Sequence, residues 1–90
     1  MGFIAIMPTV LTIFGLRVVI YPNDHRPAHV HVIGKGCEAV FDLRCSAGAV
    51  PHLRENYGFP RRDVEKILGA LAENQAKLCK AWGDIHETER

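Results

Sequence analysis

The chain has 90 residues, 48% hydrophobic and 23% charged, and a formal net charge of +1. Such a composition suits one globular domain with a modest core and excludes a disordered chain. The charge balance gives no general attraction to nucleic acid or to a membrane, so either would need a local patch. Cys37, Cys45 and Cys79 are odd in number and lack C-x-x-C spacing. They are expected as reduced, mostly buried thiols of a cytoplasmic protein, not as a disulfide framework.

Met1 to Met7 is apolar but too short for a signal sequence or a membrane span, and no later segment is long enough for a span. Met7 also stands where a myristoylation signal prefers Ser or Thr. A single domain is expected over 1–90: an N-terminal extension at 1–6, a β-sheet over 7–45 and a helical cover over 51–86. Val10 to Phe14 and Leu16 to Tyr21 are β-branched runs hinged at Gly15. Pairing Ile13 with Leu16 and Leu11 with Val18 places apolar residues together and sets Thr12 against Arg17. Tyr21-Pro22-Asn23-Asp24 then ends the second strand.

The stretch Asn23 to Val32, N-D-H-R-P-A-H-V-H-V, holds three of the five histidines. Its second half alternates strictly, so a third strand is expected over His29 to Ile33, with His29 and His31 on one face. Gly34-Lys35-Gly36 turns into a fourth strand, Cys37 to Leu43. A two-residue loop at Lys35-Gly36 sets Val32 against Ala39, Val30 against Phe41, His31 against Val40 and His29 against Asp42. A one-residue slip would instead bury Glu38. The sheet then has an apolar inner face and an open face carrying Arg17, Tyr21, His29, His31, Glu38, Asp42 and Arg44.

Ser46 to Val50 reads as a linker. Pro51 is expected to open a short helix ending at Tyr57, with Gly58 as its stop. Pro60 then starts a long helix, with Asp63 in its first turn. Its stripe of Val64, Ile67, Leu71, Leu78, Trp82 and Ile85, interrupted at Asn74, should bury on the inner face. The expected fold class is α+β: an antiparallel sheet of about four strands, covered on one face by a short and a long C-terminal helix. Glu87 to Arg90 should fray.

The histidines permit two chemistries. His29 and His31 can offer two imidazoles to a divalent metal such as zinc, with His25 from the loop as a third ligand and a fourth position open to water. Glu38 or Asp42 would then be a further ligand or an acceptor fixing an imidazole. Alternatively, a metal-free ribonuclease would use His29, oriented by Asp42, with His31 as acid/base groups, and Arg17, Arg26 and Arg44 against the developing charge. Against both stand a structural role in the loop and a protein-binding role for the open face. In the latter Tyr21 and Arg44 are the natural anchors. Partner binding is the leading reading, with the ribonuclease and the metal site as alternatives.

Met7-Pro8-Thr9-Val10, Gly15, the N-D-H-R-P-A-H-V-H-V stretch, Gly58-Phe59, Arg61-Arg62, Asn74 and Trp82 together resemble a family of small prokaryotic proteins catalogued as a domain of unknown function. Its usual signature is close to N-D-H-x-P-P-H-V-H-V, and Ala28 here replaces the second proline. The resemblance implies a small protein partner encoded nearby, in an arrangement like a toxin–antitoxin pair, with RNA as a possible target. It assigns no catalytic residue.

Overall fold

Alternation of apolar and polar residues drives the first half of the chain into strands, and helical periodicity takes over after Pro60. The computed structural model describes residues 9–87. Strands β1 (Thr9–Ile13), β2 (Leu16–Val19), β3 (His29–Gly34), β4 (Cys37–Asp42) and β5 (His52–Tyr57) precede helices α1 (Arg61–Glu73) and α2 (Gln75–Glu87). The expected extension at 1–6, the first two residues of the expected sheet segment (Met7 and Pro8) and the tail beyond Glu87 lie outside the described residues.

The strands pair in chain order as an antiparallel meander, β1-β2-β3-β4-β5. The parity argument holds in both hairpins: Ile13 faces Leu16 and Leu11 faces Val18, while Val30 faces Phe41 and Val32 faces Ala39. Both hairpin loops have two residues with positive φ, Phe14 (51°) with Gly15 (76°) and Lys35 (53°) with Gly36 (75°). That pair of angles matches the twist of the flanking strands, which is why two-residue loops can close them. Val18, Ile20, Val30, Val32, Phe41 and Leu43 form the sheet's side of the core, and Val64, Ile67, Leu71, Leu78 and Trp82 form the helical side.

Three expectations are corrected. The segment expected as a short helix, Pro51 to Tyr57, instead supplies β5, which pairs antiparallel with β4. It carries too few apolar residues for a helical stripe, whereas β4 without it would leave a row of backbone groups unpaired. Pro51 precedes the strand, where its missing N–H breaks no ladder bond. Gly58, at φ 108°, turns the chain towards α1 rather than ending a helix. Asn56 closes that turn, donating from Nδ2 to the Phe59 carbonyl at 2.9 Å and accepting the Phe59 N–H at 3.1 Å.

The long helix is in fact two. Asn74 caps α1 and donates from Nδ2 to the Ala70 carbonyl at 2.8 Å. Gln75, the first residue of α2, then donates from Nε2 to the carbonyls of Leu43 and Arg44 just beyond β4. The apolar stripe continues across the break because Leu71 and Leu78 both remain buried.

Cys45 and Cys79, expected as free thiols, form a disulfide with a Cα–Cα distance of 5.8 Å. Cysteine spacing along the chain could not show this, because the fold lays the start of α2 over the end of β4. Cys37 is the free cysteine. The cross-link removes the argument from reduced thiols for a cytoplasmic setting. No helix among the described residues is long and apolar enough to cross a membrane.

Leu71 is fully buried, so Leu71→Ala should cost about 2–5 kcal/mol, read from urea denaturation. A change within experimental error would show that the helices do not close the core. The disulfide spans a sequence separation of 34 residues. Replacing both of its cysteines by serine should cost about 3–4 kcal/mol by the loop-entropy estimate. Comparing denaturation of the oxidised protein and the double variant checks this, and equal stability would show that the bond contributes nothing.

Candidate metal centre

The turn after Tyr21 brings an acidic side chain over the start of β3. The Asp24 N–H donates to the Tyr21 carbonyl at 3.1 Å, and the chain returns through a cis Arg26–Pro27 peptide bond. The Leu43 N–H donates to the Ala28 carbonyl at 2.9 Å, sealing this loop to the end of β4. From that position Asp24 Oδ2 lies 3.0 Å from His29 Nε2 and 3.0 Å from His31 Nε2. One ligand atom from each of the three residues falls within 4.8 Å of the others.

The opposite ring nitrogens are engaged as well. His29 Nδ1 donates to the Pro27 carbonyl at 2.8 Å. His31 Nδ1 donates to Glu38 Oε2 at 3.1 Å. A carbonyl can only accept, so His29 Nδ1 carries a proton and the neutral His29 ring presents a lone pair at Nε2; His31 stands between two carboxylates and, with its proton on Nδ1, presents its Nε2 lone pair in the same way. Both lone pairs then face the lone pairs of Asp24. Three acceptors directed at one another repel unless positive charge lies between them. Protons held among the three groups would supply that charge, and so would one cation shared by all three. A tetrahedral ion with bonds near 2.05 Å sets its ligand atoms about 3.3 Å apart, close to the separations of Asp24 from the two rings.

Aromatic rings wall the cluster. Tyr21 packs edge-on to His31, with centroids 4.6 Å apart. Burial first, and then the charge of Glu38, push the Tyr21 hydroxyl above the ordinary phenol range, so it stays protonated. Trp82 lies 5.2 Å from the His29 ring and stacks on His86 at 3.7 Å. The ring nitrogens of His86 reach the Trp82 carbonyl at 2.8 Å and the Asp24 carbonyl at 3.0 Å. The end of α2 is thereby fastened to the loop that carries Asp24.

The other residues named from sequence take varied places. His25 is exposed and does not join the converging group, where Asp24 stands instead. Asp42 does face His29 across the ladder, but its carboxylate pairs with Arg54 at 2.6 Å and does not orient the imidazole. Arg54 falls at the irregularity between Val40 and Phe41, where β5 has one residue more than β4; such a bulge re-aims a side chain. Arg17 and Arg44 are exposed. Nor is the histidine face wholly open: Val19 and Val40, on either side of His31, are buried. His29 itself is only 5% exposed. The expectation that His29 lies on an open face therefore fails, because Trp82 of α2 packs against its ring.

Asp24, Arg54 and His86 had no place in the sequence reading of the site. For Asp24 a signal existed, since carboxylate is a common metal ligand and it adjoins His25. Periodicity does not extend into a turn, so it cannot say which of two neighbours faces the strand.

No curated protein and no solved structure matches the chain. A family model does match residues 15–83, and it is that of a domain of unknown function, DUF4160. The matched span contains every member of the cluster, from Asp24 to His31 and Glu38, together with Trp82. The chain belongs to the DUF4160 family of domains of unknown function.

Proposed function

We propose that this is a divalent-metal protein in which Asp24, His29 and His31 hold one ion of the zinc class and leave a coordination position for water. The observation that carries the reading is the pair of 3.0 Å approaches of Nε2 atoms to Asp24 Oδ2, made while each Nδ1 is committed to an acceptor. Three protein ligands with a vacant position is the pattern of catalytic zinc sites, whereas structural sites close with four. An ion so held lowers the pKa of its bound water towards neutrality and supplies a hydroxide nucleophile. Hydrolysis is then the class of chemistry. The Pro27 carbonyl and Glu38 act by fixing ring orientation and tautomer, as outer partners of ligating histidines do.

This reading changes the roles expected in a ribonuclease. An imidazole whose Nε2 held an ion could not also take a substrate proton there, so neither His29 nor His31 would act as the base. Tyr21, packed edge-on against His31, becomes a wall of the centre rather than an anchor for a protein partner.

Zinc titration with elemental analysis should find one ion per chain. Asp24→Asn or His31→Ala should weaken binding by more than about 100-fold, and Glu38→Gln by roughly 10–100-fold. His25→Ala should leave it unchanged, because that side chain is exposed and outside the cluster. Substoichiometric binding by the natural chain, or full binding by Asp24→Asn, would leave the cluster as a protonated imidazole–carboxylate network without a metal.

A further inference from the structure

Beside the metal centre a groove opens between the loop preceding β3 and the chain leaving β4. Arg26, Pro27, Asp42, Arg44, Cys45 and Ser46 line it, and its volume is about 780 Å³. Its charge follows from the ion pairs around it. Asp42 is the one carboxylate among these residues, and Arg54 neutralises it at 2.6 Å. Arg26 and Arg44 have no carboxylate partner among the described residues. Two arginines without a carboxylate partner among the described residues therefore line one recess.

The backbone beneath Arg44 is also unusual. Arg44 has φ 55°, a left-handed conformation that side chains other than glycine seldom adopt. It is fixed from both sides: Gln75 Nε2 donates to the Arg44 carbonyl at 3.0 Å, and Cys45, the next residue, is bonded to Cys79. A conformation of this kind persists only where the surroundings over-determine it, and such positions cluster at ligand clamps. Helix α2 thus holds the segment by which Arg44 lines the groove.

We propose that Arg26 and Arg44 bind a phosphate group, and that ligands of the neighbouring centre are phosphate esters. Guanidinium forks match phosphate oxygens two at a time, which makes arginine pairs suited to this group. The geometry also assigns the phosphate its part. Pro27 lines the groove and meets His29 at Nδ1, whereas Asp24 meets the same ring at Nε2. The imidazole stands between groove and ion. A phosphate in the groove is therefore an anchor, and another part of the same molecule reaches the metal. Only this second half of the inference rests on the metal reading; the anion groove stands without it.

The test titrates inorganic phosphate into the full chain, disulfide intact, with one equivalent of zinc and again without added metal. The comparison is with Arg26→Gln combined with Arg44→Asn, asparagine being chosen because it tolerates the left-handed backbone. Phosphate affinity should fall at least about ten-fold in the double variant, since charge-assisted bonds to both guanidinium groups are lost. Zinc affinity and melting temperature should not change, because both side chains are exposed. A dinucleotide with a 5′-phosphate, set against the same dinucleotide without it, separates a terminal phosphate from an internal diester. Loss of either one's binding in the double variant supports the groove. Undiminished phosphate binding by the variant would place the anion outside the groove, on zinc where binding needs the added metal, and overturn the proposal, as would absence of phosphate binding by the natural chain. Arginine-dependent phosphate binding in a chain that takes up no zinc would sink the metal reading alone.

Discussion

The pairing of β3 with β4 is the constraint on which the rest depends. Side chains in a strand alternate with period two, so one choice of register decides the fate of both valines and both histidines. With Val30 opposite Phe41 and Val32 opposite Ala39, the core receives only apolar atoms. The same choice places His31 near Glu38 and His29 within reach of the loop that carries Asp24. A register displaced by one residue would send both imidazoles into the core and both valines out of it. Hydrophobic burial on one face of the sheet thus enforces the geometry of a polar site on the other.

Core and site are not separate territories. Trp82 is a member of the hydrophobic cluster and also lies against His29 and stacks on His86. Its indole N–H is buried and finds no acceptor among the described residues, an arrangement that costs about 1–3 kcal/mol. The aromatic contacts and the burial of so large a ring offset that cost. One consequence is that a substitution at Trp82 disturbs stability and cluster geometry together, so its effect on activity could not be read as a purely chemical one.

Much of the sheet was legible in the sequence because strand parity and two-residue turns are local rules. Four strands, the facing residues of both hairpins and the stripe from Val64 to Trp82 follow from such rules. Features that depend on distant chain segments were not legible. Strand β5 exists because β4 offers an edge, and its own residues barely suggest it. Helix α1 ends at Asn74 because Gln75 is drawn to the carbonyls of Leu43 and Arg44. Cys45 meets Cys79 for the same reason. Within the site His29 and His31 could be named from alternation, whereas Asp24 sits in a turn where no period applies. Asp42 was named as an orienter from its place opposite His29, but the bulge that delivers Arg54 lies on a strand the sequence reading did not contain.

The Cys45–Cys79 bond also changes the chain's topology. It turns residues 45–79 into a covalent ring that holds β5 and α1, with two arms leaving from one junction. One arm carries Asp24, His29 and His31, and the other carries Trp82 and His86, so the halves of the centre are near neighbours through the sulfur bridge although far apart along the backbone. A protease that cut anywhere within the ring would leave the two arms covalently joined. The bond keeps the parts of the centre on one covalent molecule even where the backbone between them is broken.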